Sequence, residues 1–239
     1  MAIVITQNRL NELNCVAGID VSHIQANIDW AAMKQAGIEF AFIKLTEGHT
    51  GAGSYEGDTY NTRFRVIEAL KNQIKIGYYH FARPGNINPP EQDAFLEVQN
   101  IITHLKNEVY PRPHFPIVLD LEGYSGTMAW PAEQGTPAPS KSQLLRFANS
   151  FISEIAENGY ETMIYSNPSF INEKLPSDHS LGNYSLWIAN YVNDPNSSLP
   201  VIPDGWTQWA AWQYSDSGNI GGINPLDVDI MKKSFFDKY

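Results

Sequence analysis

Ile117-Val118-Leu119-Asp120-Leu121-Glu122 decides how the chain reads. An apolar run too short for a helix ends in two acids one residue apart, with a Pro/Gly/Ser-rich stretch (123–140) behind it. Outward from this candidate strand, 117–121, the same pattern recurs at 16–21, 40–45, 76–81, 162–166, 186–191, 210–214 and 228–231. Helix-like stretches at 29–36, 59–72, 90–107 and 142–158 separate the early runs. Ser140 with Gln143 reads as a capping box opening the last of these, and Ala36-Gly37 as a helix closed by its C-terminal glycine. Strands separated by helices need crossover connections, which predicts a parallel sheet. Eight such strands in 239 residues point to one closed α/β barrel, with the helices degenerating after residue 160. Residues 1–15 read as an N-terminal extension and 16–239 as the barrel.

Composition narrows the partners. A formal net charge of −10 argues against nucleic acid and against a polybasic membrane contact. Residues 1–16 lack the basic and apolar regions of an export signal, so cytoplasmic synthesis without a cleavable leader is expected. The single cysteine, Cys15, has no partner for an intramolecular disulfide and reads as a small buried hydrophobe. Aromatic residues reach 12%, which suits a carbohydrate groove and equally an ordinary core. Histidines with metal-site spacing, a Gly-x-Ser-x-Gly nucleophile and a phosphate-binding loop are all missing, so neither metal nor cofactor is expected.

In a parallel barrel, function gathers where strands end. The predicted ends carry Asp20, Lys44 to Gly48, Tyr78 to Phe81, Asp120 and Glu122, Tyr165, Trp187 to Tyr191, Gln213, and Asp227 with Asp229. Residues two apart on a strand face the same way, about 7 Å apart, so Asp120 and Glu122 share the barrel mouth. Neighbouring carboxyls push their pKa values apart, letting one hold a proton while the other stays ionised. Glycosidic cleavage needs that division, because the leaving oxygen is protonated as positive charge grows on the sugar. An Asp-x-Glu that merely ends a strand and caps a turn is the plainer reading of the same residues.

Six motifs in register carry a resemblance: Gly18-Ile19-Asp20-Val21-Ser22-His23-Ile24-Gln25, Phe42-Ile43-Lys44-Leu45-Thr46-Glu47-Gly48, Gly77-Tyr78-Tyr79-His80-Phe81-Ala82-Arg83-Pro84, Asp120-Leu121-Glu122, Leu186-Trp187-Ile188-Ala189-Asn190-Tyr191 and Trp212-Gln213-Tyr214-Ser215. Together, over 16–236, they resemble glycoside hydrolase family 25, the Chalaropsis-type lysozymes. The resemblance implies a single flattened TIM-like barrel, (β/α)5(β)3. It also implies cleavage, with retention, of the β-1,4 bond between N-acetylmuramic acid and N-acetylglucosamine in peptidoglycan, after release or delivery to the wall. Glu122 would be general acid and base, Asp120 would handle the N-acetyl group or the ring charge, and Asp20 and Asp229 would support them. Tyr78, His80, Tyr165, Trp187, Tyr191 and Gln213 are the expected substrate contacts, and a monomer is expected.

Two features depart from the family. The last strand reads Leu226-Asp227-Val228-Asp229 where Val-Asp-Leu-Asn is commoner, so Asp227 rivals Asp229. The 123–140 insertion is long, and Trp130 or Tyr124 in it is a candidate for stacking on a sugar. A covalent and an acetamido-assisted route both remain open, as do a non-cutting peptidoglycan-binding barrel and a glycosidase for another N-acetylated glycan such as chitin.

Overall fold

The computed structural model describes residues 4–25, 27–49, 59–85, 87–106, 110–123 and 138–239. The expected strands form and close into one barrel in chain order. They are β1 (Cys15–Val21), β2 (Ile38–Glu47), β3 (Lys75–Phe81), β4 (Ile117–Asp120), β5 (Thr162–Ser166), β6 (Ser185–Ala189), β7 (Ala211–Ile220) and β8 (Ile223–Lys232). Between them lie α2 (Trp30–Gln35), α3 (Thr59–Lys71), α4 (Pro90–Lys106), α5 (Lys141–Glu157) and the short α6 (Pro168–Lys174). The expected starts and stops hold. Ser140 and Gln143 form the capping box of α5, and α2 gives way to Gly37 at φ +88°. Among the described residues no helix separates β6 from β7 beyond a loop, so the helical layer is thin on that side. The N-terminal extension fills part of the gap: α1 (Gln7–Leu13) buries Leu10, and Ile5 joins the same outer core.

The expectation of a wholly parallel sheet is corrected at one strand. β1 through β7 run parallel, whereas β8 is antiparallel to both β7 and β1. The cause is local. Gly221 and Gly222, at φ +58° and +83°, join β7 to β8 in a two-residue hairpin, and a parallel return would need a dozen residues or more. The reversal brings the first half of β8 to the rim where the other strands end.

Strand alternation divides the core in two. Outward residues such as Ile19, Tyr78, Leu119, Ile164, Ile188 and Ile230 pack against the helices. Inward residues, among them Phe40, Phe42, Tyr79, Val118, Tyr165, Trp187 and Met231, fill the barrel. Glycines make room for this aromatic filling: a Cβ on Gly18 would lie 2.2 Å from the Phe40 ring, and one on Gly77 2.5 Å from Phe42. The far end is closed by α7 (Lys233–Lys238), whose Phe235 and Phe236 pack around Phe115. Cys15 is buried at the start of β1, and burial pushes its thiol up to about 11. No helix among the described residues is long and apolar enough to cross a membrane.

Candidate active site

β4 ends at Asp120, yet its ladder runs one residue further. Leu121 N donates to Tyr165 O at 2.9 Å, and the Ser166 hydroxyl donates to Leu121 O. Glu122 therefore keeps the inward parity of Asp120 before Gly123 turns the chain at φ +79°. Asp120 is buried, 3% exposed, whereas Glu122 is half-buried and nearer the opening.

Asp20, at the same level on β1, accepts Gln213 Nε2 at its Oδ2, 2.7 Å away. Gln213 is a hub. Its Oε1 accepts the hydroxyls of Tyr165 at 2.8 Å and Tyr191 at 2.9 Å. Asp229 lies one pleat deeper, opposite Gly18 on β1 and Gln213 on β7, and accepts Trp187 Nε1 at 2.8 Å. Asp227 stands directly across from Asp20. Both β8 acids thus face the cluster, at successive levels.

Five carboxyls around one mouth cannot all be ionised, and each is shifted upward. Burial is the leading cause throughout. For Asp20 it is reinforced by Asp229, and for Asp120 by Glu122, with Lys44 opposing. Asp229 is likewise held up by burial, against the Trp187 hydrogen bond, and Asp227 is pushed up to about 9. Glu122 is raised to about 7, with the Lys44 charge and a hydrogen bond from Tyr165 holding it back. An acid whose proton comes off near neutrality is the group that general acid–base work requires. Among the described residues no cluster of His, Cys, Asp or Glu is arranged to hold a metal ion.

Of the sequence candidates, Glu122, Asp120, Asp20, Asp229, Tyr165, Trp187, Tyr191 and Gln213 are brought together. Tyr78 and His80 are not, and their placement at the mouth is corrected. Both sit on the outward parity of β3. Tyr78 is fully buried and donates to Pro111 O at 3.1 Å. His80 is fully buried behind the barrel wall, between Thr46 Oγ1 at 2.8 Å and Glu97 Oε2 at 2.7 Å, and burial pushes it down to about 3. Tyr79, on the opposite parity, is the β3 tyrosine that faces the acids. Lys44 is a further site residue, and a lone lysine directly after Phe40-Ala41-Phe42-Ile43 is its signal in the sequence. Tyr124 and Trp130 lie outside the described residues.

The model of the glycosyl hydrolases family 25 matches residues 19–223. Lysozyme M1 of Streptomyces globisporus is 32% identical over 220 residues, 91% of this chain and 67% of that protein. The N,O-diacetylmuramidase of Chalaropsis is 29% identical, over 91% of this chain and 98% of its own length. Among solved structures, the bacterial lysozyme of Streptomyces coelicolor superposes with a TM-score of 0.70 at 29% identity, over 90% of each chain.

Proposed function

This chain belongs to the glycosyl hydrolases family 25, and on that premise we propose that it is a muramidase. It cuts the β-1,4 bond between N-acetylmuramic acid and N-acetylglucosamine of peptidoglycan, with retention, at the cell wall. The observation that carries the reading is the pair at the end of β4: a half-buried Glu122 shifted to about 7 beside a buried Asp120.

Glu122 stands nearer the opening and is the acid that reaches a leaving oxygen. The Tyr165 hydroxyl, which donates to Gln213 Oε1 at 2.8 Å, donates to Glu122 when turned toward it and then favours the ionised form that takes a proton from water. Asp120, enclosed beside Glu122, stabilises the substrate's acetamido group or the positive charge growing on the sugar ring. In the first step the acetamido oxygen attacks C1, the bond from C1 to the leaving oxygen breaks, and that oxygen takes the Glu122 proton. In the second, water attacks C1 as Glu122 takes its proton, the C1–acetamido bond breaks, and the configuration is restored. Asp20, Asp227 and Asp229 tune the charge of this machinery, and Gln213 with Tyr165 and Tyr191 orients it.

The test is a digest of purified peptidoglycan, with products reduced by borohydride and identified by mass spectrometry, wild type beside Glu122→Gln. Reduced muramic acid ends from the wild type alone are expected. A folded wild type that releases no muropeptide from several wall types would replace the reading by a binding barrel. Release from chitin instead would move the substrate.

A further inference from the structure

We propose that Lys44 is a positioning residue for the reaction: held by Glu47, which Arg83 grips from the other side, its ammonium enters the barrel beside the Asp120–Glu122 pair and sets how much negative charge that pair carries as the substrate is cut. The inference rests on the reading that these two acids perform the chemistry.

The placement begins in the pleat. Lys44 shares the inward parity of Phe40 and Phe42 on β2, so an ammonium enters the barrel at the level where the aromatic filling stops. It stands opposite Tyr79 of β3; two residues on, Phe81 stands opposite Asp120 of β4. Lys44 Nζ lies 4.8 Å from the centre of the Phe81 ring, and the Arg83 guanidinium lies 5.6 Å from the same ring. Glu47, buried at the end of β2, bonds to both cations.

The clamp is fixed from behind. Arg83 N donates to Glu97 Oε1 of α4 at 3.1 Å, and Glu97 Oε2 meets His80 Nε2 at 2.7 Å. His80 Nδ1 meets Thr46 Oγ1 at 2.8 Å, and Asn100 Nδ2 donates to Gly48 O at 2.9 Å. The turn after β2 and the exit of β3 are thus pinned to one helix, and the ion trio between them has little room to drift. A lysine needed only for packing would gain nothing from such an arrangement.

The groups that face the trio and the pair are Asp20 from β1, Glu47 from β2, Tyr79 and Arg83 from β3 and its exit, Tyr165 from β5, Tyr191 after β6, and Asp227 with Asp229 from β8. Lys44 is the cation whose charge acts on both Asp120 and Glu122, drawing each downward against burial. Burial brings Lys44 itself down to about 8, while the charges of Asp120 and Glu122 draw it back up and its ion pair with Glu47 keeps it a cation. Without this ammonium, two enclosed carboxyls beside three more would hold their protons to higher pH, and the pair would lose its ionised member.

The experiment compares wild type, Lys44→Met and Lys44→Arg in two ways. The first is the pH profile of kcat/KM for release of reducing ends from peptidoglycan. The second, independent of turnover, is a carboxyl titration by 13C NMR with labelled Asp and Glu. In Lys44→Met both limbs of the profile, and the titration of the pair, should move up by about one pH unit, the low end of the effect of a neighbouring opposite charge. Lys44→Arg should restore the wild-type positions. Unmoved limbs at reduced height, or a raised KM alone, would mean that Lys44 holds substrate or structure, and would overturn the proposal. Should Lys44→Met not fold, Lys44→Gln is read in the same way. A wild type that cuts no peptidoglycan would refute the parent reading, and the carboxyl titration would still decide this one.

Discussion

Trp187 on β6 donates its indole N–H to Asp229 on β8 at 2.8 Å, across the floor of the acid cluster. The same ring stacks on Phe42 at 4.3 Å and packs against Tyr165 at 4.4 Å. One aromatic thus caps the apolar filling below with its face and satisfies a buried carboxyl with its edge.

Trp187→Phe keeps most of the stacking and removes the donor. Asp229 is 1% exposed, and a buried polar group left without its partner costs about 1–3 kcal/mol. Urea unfolding at pH 7 should show a loss of that size. An unchanged midpoint would mean that the hydrogen bond contributes nothing to the fold.

The β8 acid nearer the rim should make stability depend on pH. Asp227 rises from 3.8 to about 9 on folding. Folded chains therefore hold a proton that unfolded chains release, and stability from this group is full below about pH 4 and declines as pH rises toward 9. Asp227→Asn removes the decline. The variant should match wild type near pH 4 and exceed it at pH 7 by up to about 4 kcal/mol, at about 1.36 kcal/mol for each pH unit above 3.8. A variant less stable than wild type at pH 7 would contradict this. His80 works in the opposite sense: held down to about 3, it favours the folded state above pH 6.5 and erodes it as pH falls toward 3, equally in both proteins.

Activity should fall as pH rises through about 7, because Glu122 loses its proton there. Glu122→Gln should lower turnover by roughly 10²–10⁴ with the fold intact. Rate profiles with circular dichroism on the same samples check both statements. A wild-type rate still climbing at pH 8 would assign the acid elsewhere.

Gly18→Ala would drive a methyl to 2.2 Å from the Phe40 ring, which is itself held edge-on to Phe42 at 5.6 Å. A cost of about 1–3 kcal/mol is expected, as for other overpacked cores. Phe40→Leu should recover part of it in the double variant. Thermal melts of the two single variants and the double variant measure the coupling, and strict additivity would place the clash elsewhere.

Much of this site was legible before any coordinates. Alternation on 117–122 put Asp120 and Glu122 on one face, because a period of two follows from the strand itself whatever it packs against. The same rule grouped Asp227 with Asp229. Capping chemistry marked the start of α5 and the end of α2 for the same local reason.

Legibility failed where the answer depended on what lies on either side of a strand. β3 is apolar or aromatic on both faces, so Tyr78-Tyr79-His80-Phe81 has no polar face to reveal which residues turn inward. The strand-end rule puts Tyr78 and His80 at the mouth, and the barrel places Tyr79 there instead. β8 was set at the rim by a rule for parallel strands; it reaches that rim by running the other way, and Gly221-Gly222 was the overlooked mark of the hairpin.

Amino-acid order alone determined the strands, the pairing of acids on shared faces and the family, because each rests on contacts between near neighbours in the chain or on motifs read in register. The ring of Asp20, Asp120, Glu122, Asp227 and Asp229, the Gln213 hub, and the clamp that turns Lys44 toward the pair were decided by the closed barrel. They join residues as far apart as Asp20 and Gln213, separated by 193 positions. Their charges take on their working values only when closure excludes water and sets like groups against one another.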